Sequence, residues 1–183
     1  PKPQTITQQF VSKLSDVFYV PERAIQGSTL IPSKELPSFM AFIYGISADD
    51  EESFIGCSFR VENALLTAAH NLTGFENLRI VSNTATCVVS TDDAVVFTYD
   101  YLAYFKFSDR DFSMLGLGKG RLLNHAVPQA YPMVCQAFGP GTPVSFTMGA
   151  VTPVANFGKV TYGGSTTHGF SGTPYVQHKT IVG

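Results

Sequence analysis

Ser171 stands between Gly169 and Gly172 in the segment TTHGFSGTPYV, residues 166–176, where glycines at i−2 and i+1 let the backbone turn sharply around a hydroxyl. A serine hydroxyl becomes a nucleophile when a base lies within hydrogen-bond reach, a carboxylate holds that base in one tautomer, and donors face the oxyanion that develops. Each part has a candidate here. His70 ends the run LLTAAH, and the two alanines before it leave room for the ring to be packed over and aimed. Asp111 opens DFSMLGL, read as a buried strand from the alternation of Phe112 and Met114 and from Leu117, and a carboxylate at the mouth of such a strand needs a partner. The N–H groups of Gly169 and Ser171 are the candidate oxyanion donors.

Taken singly, each piece has a plainer explanation: a cheap Gly-Ser turn, a structural histidine at a strand end, a turn aspartate. Taken together they run His, Asp, then Gly-x-Ser-Gly, in the order of chymotrypsin rather than of α/β-hydrolases or subtilisins. The carboxylate is the most open assignment. Asp100 precedes the apolar run YLAYF and is the second choice, and Asp109 lies two residues from Asp111.

The elements that must position these groups are short strands. From residue 38 the chain breaks into runs rich in Val, Phe, Tyr, Ile and Thr, separated by Gly, Asn, Asp and Pro, which predicts an all-β sandwich or barrel. A nearly aperiodic stretch divides the strands into two groups, giving a first barrel over 38–118, a bridge over 119–130 and a second barrel over 131–183. Residues 1–37 form an N-terminal extension. Within it Ile6, Phe10, Val11, Leu14, Val17 and Phe18 recur at helical intervals and predict a helix over 5–18, followed by a proline-punctuated connector.

With 183 residues and 44% hydrophobic side chains the chain can bury a sizeable core. Its 12 Lys and Arg against 14 Asp and Glu, a formal net charge of −2, are scattered, which argues against nucleic acid as a partner. No apolar run approaches the roughly 18 residues of a membrane span. Cys57, Cys87 and Cys135 are too widely spread for a zinc pattern and are read as buried thiols of a reducing compartment. His125, His168 and His178 form no metal spacing, so neither a metal nor an organic cofactor is expected.

LLTAAH, DFSML and TTHGFSGTPYV resemble the three signature segments of chymotrypsin-like serine proteases. The resemblance is greatest to the polyprotein-processing proteases of positive-strand RNA viruses of the sobemovirus and polerovirus type, whose nucleophile segment reads T-x-x-G-x-S-G. Thr166, Gly169, Ser171 and Gly172 match that form. The resemblance implies two antiparallel six-stranded barrels with the active site in the cleft between them, and catalytic roles for His70, Asp111 and Ser171. It further implies a viral polyprotein as substrate, the host cell cytoplasm as location with membrane association through flanking polyprotein segments, and contact of Thr166 with a Glu or Gln before the cut bond. Asn71 follows the histidine where secreted relatives carry a cysteine. In the family a further strand, whose start reads G-x-H, lines the specificity pocket; this sequence ends at TIVG, so a C-terminal segment or a partner is expected to complete the second barrel. A non-catalytic binding module on the same fold and a cellular protease are the alternative readings.

Overall fold

The computed structural model describes residues 24–25, 27–97, 101–128, 131–153 and 160–183. The helix expected over 5–18 lies outside the described residues, as does Asp100. In chain order the strands are β1 (Ile31–Ser33), β2 (Met40–Ile46), β3 (Glu52–Val61), β4 (Ala64–Ala68), β5 (Asn77–Val81), β6 (Thr86–Ser90), β7 (Ala94–Val96), β8 (Leu102–Lys106), β9 (Arg121–Leu122), β10 (Met133–Pro140), β11 (Val144–Pro153), β12 (Val160–Tyr162), β13 (Tyr175–Gln177) and β14 (Thr180–Ile181). Among the described residues they form two seven-stranded sheets. The first has the order β6-β5-β2-β3-β4-β8-β7; the second runs β1-β11-β10-β13-β14-β9, with β12 also on β11.

The strands nearest the site are buried on both faces. An antiparallel sheet with one wet face alternates apolar and polar residues, yet β4 reads ALLTA with four of its five residues buried. Leu65 joins Ile43, Leu78, Ile80 and Phe105 in the core of the first sheet. Its neighbours Ala64 and Leu66 point the other way, into a cluster that joins Met40, Cys57 and Phe59 to Phe138, Val144, Val176 and Ile181 of the second sheet. One continuous apolar layer therefore fixes the two sheets against each other, and the segments bearing His70 and Ser171 grow out of it.

DFSMLGL is not a strand: Asp109–Leu115 form a short helix, α1. Ser108 caps it by accepting the Asp111 N–H, the Asp111 carboxylate accepts the Ser108 N–H in return, and Gly116 ends it in the left-handed region at φ 67°. The buried residues of the helix are Phe112 and Leu115, three apart, while Met114 is 69% exposed. The period-2 reading joined Phe112 to the wrong partner. The proline-punctuated connector is likewise more than a spacer, because Ile31–Ser33 pair with Phe146, Ser145 and Val144. Pro32 is tolerated there because β1 is an edge strand. The bridge also contributes a strand, β9, which pairs in parallel with β14. Among the described residues no helix is long and apolar enough to cross a membrane.

Helix α1 is held by its aromatic residue. Phe112 is fully buried beneath the Arg60 guanidinium, which lies 3.9 Å from the ring centroid and donates to the Leu117 carbonyl at 2.7 Å. Phe112→Ala is expected to lower unfolding free energy by about 3–5 kcal/mol, a loss read from the urea midpoint; a loss below about 1 kcal/mol would contradict this packing.

Candidate active site

β4 delivers His70. The strand ends at Ala68 and passes into a one-turn 3-10 helix over Ala69–Leu72, whose first N–H donates to the Tyr101 carbonyl at 2.9 Å. Ala69 is buried beneath the turn while His70 is exposed, so the small residues of TAAH let the chain pass close to β8 and leave the ring at the surface.

Ser171 comes from a loop of the second sheet that is tied down on both sides. Two turns shape it, Phe170 N–H to the Thr167 carbonyl at 3.1 Å and Thr173 N–H to the Phe170 carbonyl at 2.9 Å. Phe170 is buried against Gly139, where any side chain would strike its ring, and the Thr173 hydroxyl donates to the Phe138 carbonyl at 2.6 Å. These contacts fasten the loop to β10. On the other side the Cys57 N–H of β3 donates to the Ser171 carbonyl at 2.8 Å.

Backbone angle and space both require the bracketing glycines. Gly169 has φ 106° and Gly172 φ 90°, both in the left-handed range that other residues enter only with strain. Space forbids side chains as well: a Cβ at Gly169 would lie 2.6 Å from the Phe54 ring, and one at Gly172 would run into the Cys57 carbonyl oxygen.

The outcome is a direct contact. His70 Nε2 and Ser171 Oγ are 2.9 Å apart, a hydrogen bond across 101 residues of sequence and between the two sheets. Proton transfer from hydroxyl to imidazole needs that distance and no further movement of the backbone.

Asp111 is not brought to this pair. Its carboxylate accepts the Ser108 N–H at 3.0 Å and the Ser108 hydroxyl at 2.8 Å, and it lines a groove with Thr86, Cys87 and Met114. The Ser108 N–H and then its hydroxyl hold the Asp111 carboxyl below the usual carboxylate range, and this carboxylate in turn adds to burial in pushing the Cys87 thiol up. A carboxylate engaged in capping its own helix beside β6 is not available to orient His70. Asp109 is also elsewhere, 3.8 Å from Arg60.

Thr166 is half-buried and directly follows Ser165. The Ser165 hydroxyl accepts the Ile25 N–H at 2.6 Å and faces the Ile25 and Ser28 carbonyls at 3.1 and 3.0 Å, while its own N–H donates to Ser28 Oγ at 2.7 Å. The connector is thus fastened beside the segment that carries Thr166. His168 is exposed, as are His125 and His178. All three cysteines are free; Cys57 and Cys135 are buried and Cys87 is half-buried, a departure from the expectation of three buried thiols. Burial pushes the Cys135 thiol up to about 11 and the Cys57 thiol higher still, which leaves both unreactive near neutral pH.

No family model matches the sequence, and no curated protein matches it. Solved structures do. The serine protease domain of the Sesbania mosaic virus polyprotein superposes with a TM-score of 0.63 at 20% identity, over 85% of this chain and 84% of that one. A human pathogenic astrovirus serine protease gives 0.55 at 14% identity, over 80% of this chain and 81% of that one. A serine endoprotease from Yersinia pestis gives 0.62 at 15% identity, over 84% of this chain and 57% of that one. This is the chymotrypsin-like serine protease fold. In the chymotrypsin-like arrangement of this chain, the hydroxyl–imidazole pair sits where the two sheets meet.

The capping role of Asp111 has a signature in stability. A carboxyl whose folded pKa is lowered contributes stability that is fully present above the unfolded value and is lost as pH falls through the folded one. Asp111→Asn should therefore lower the thermal midpoint at neutral pH, and the gap to wild type should close below the ordinary carboxylate range. A gap that persists in acid would contradict the assignment.

Proposed function

We propose that this chain is a serine endopeptidase that cleaves a viral polyprotein by acyl transfer, with Ser171 as nucleophile and His70 as general base. The observation that carries the proposal is the 2.9 Å contact between His70 Nε2 and Ser171 Oγ. Ser171 Oγ attacks the scissile carbonyl while His70 takes its proton, and the developing oxyanion is received by the N–H groups of Gly169 and Ser171. His70 then returns the proton to the departing amine. Water repeats the sequence on the acyl-enzyme and releases the second product. The positive φ of Gly169 supports the oxyanion assignment, because it lets the backbone turn sharply just before Ser171.

The third member is proposed to be Asp100 rather than Asp111. Tyr101, covalently next to it, accepts the Ala69 N–H, and Leu102 pairs with Ala68, so the chain at residue 101 is fastened immediately beside the histidine turn. Asp100 is the residue that the sequence places next to this attachment. Thr166, beside the tethered Ser165, is proposed to offer its hydroxyl to a Glu or Gln side chain of the substrate. The Sesbania mosaic virus neighbour, itself a domain of a polyprotein, supports a polyprotein as the substrate class.

The test is the second-order rate of labelling by a fluorophosphonate, with the adduct mapped by mass spectrometry. Labelling confined to Ser171 is expected, absent in Ser171→Ala and slowed by orders of magnitude in His70→Ala. Asp100→Asn should slow it by about 10⁴ through the wrong imidazole tautomer, whereas Asp111→Asn should leave it unchanged. Absence of labelling in a folded wild-type protein would instead favour a binding module on a protease-like fold.

A further inference from the structure

The residue after the histidine performs a task that its type alone does not announce. Asn71 is 3% exposed, and its Nδ2 group donates twice, to Thr67 Oγ1 at 3.1 Å and to the Ser171 carbonyl at 3.0 Å. The orientation of the amide follows from chemistry: a carbonyl oxygen can only accept, so the NH2 end must face Ser171. Thr67 Oγ1 passes its own proton to the Cys57 carbonyl at 2.8 Å, and the Cys57 N–H donates to the same Ser171 carbonyl at 2.8 Å. The result is a closed ring of four hydrogen bonds through β3, β4, the histidine turn and the nucleophile loop.

Glycines make room for this ring. A Cβ at Gly56 would collide with Asn71 Nδ2 and lie 2.7 Å from the Ser171 carbonyl oxygen, and one at Gly172 would meet the Cys57 carbonyl and stand 3.0 Å from Thr67 Oγ1. Both lone pairs of the Ser171 carbonyl are engaged, which fixes the plane of the peptide that follows the nucleophile. Since Asn71 is bonded covalently to His70, one side chain ties the base's own turn to the nucleophile's own backbone.

We propose that Asn71 is a positioning residue for the reaction: its carboxamide holds the Ser171 carbonyl, and with it the hydroxyl and the amide cradle, in register with His70. The inference rests on the serine-protease reading given above. Positioning of reacting atoms has steep consequences, since a displacement of about 1 Å lowers rate by about 10²-fold. A merely structural asparagine would change stability and leave the chemistry of the folded fraction alone.

The experiment pairs an activity readout with one that does not depend on activity. Fluorophosphonate labelling of Ser171 and amide hydrogen exchange are measured for wild type, Asn71→Ala and Thr67→Val, below the lowest thermal midpoint of the three. Asn71→Ala is expected to label about 10²-fold more slowly, and to exchange faster at the Cys57 N–H and across residues 167–173, with Ile43 and Ile80 unchanged. Thr67→Val, which keeps the shape and removes both the anchor of Asn71 and the bond to the Cys57 carbonyl, should slow labelling by about tenfold. It carries the test if Asn71→Ala does not fold. Labelling of either folded variant within twofold of wild type would overturn the proposal. If wild type itself does not label Ser171, the serine-protease reading has failed, and with it a positioning role in that reaction; faster exchange at Cys57 in Asn71→Ala would then show the ring acting as a structural clamp alone.

Discussion

The Ser171 carbonyl is the point on which the two halves of the molecule close. Apolar packing between the sheets is broad and non-directional; it holds Met40, Phe59 and Leu66 against Phe138, Val176 and Ile181, yet by itself it does not fix a rotation or a register to a few tenths of an ångström. Hydrogen bonds do. Two donors from the first sheet, the Cys57 N–H and the Asn71 amide, converge on one acceptor of the second. Buried and fully satisfied, such a network specifies one arrangement because any slip leaves polar groups unpaired. The 2.9 Å separation of His70 and Ser171 depends on that arrangement.

Glycine has two different duties around this point. At Gly169 and Gly172 the backbone adopts positive φ, and at Gly56 and Gly172 the constraint is contact with the ring of hydrogen bonds. The same loop is anchored from the opposite side by Phe170 beneath Gly139 and by the Thr173 hydroxyl on the Phe138 carbonyl. A segment that reads as a flexible turn is held from both sheets, which is what the proposed nucleophile requires: the orientation of Ser171 is set by folding.

How much of this could be read from the sequence varies with the range of the interactions involved. The β-rich runs were legible because Val, Ile, Phe and Tyr clusters bounded by turn residues report local preference, and both the TAAH and GFSG segments carry small residues that make sense only where a chain must pass closely. The segment after Asp111 folds as a helix although Phe112 and Met114 imitate a strand; Ser108, Asp111 and Gly116 hold the better signal, a capping pattern with a helix-ending glycine. Edge strand β1 was hidden by Pro32, which argues against a central strand but not against an edge. The ring through Asn71 could not be read at all, because it joins residues 100 apart and depends on which atoms meet once the sheets pack.

The central claim is that His70 activates the Ser171 hydroxyl for covalent attack. Its most direct test is rapid acid quenching after mixing the protein with an activated ester, followed by mass analysis of the chain. The account predicts one acyl group per chain, carried on Ser171 and missing when His70 is replaced by Ala. A folded protein that acquires no acyl group, or acquires it on another residue, would contradict the account.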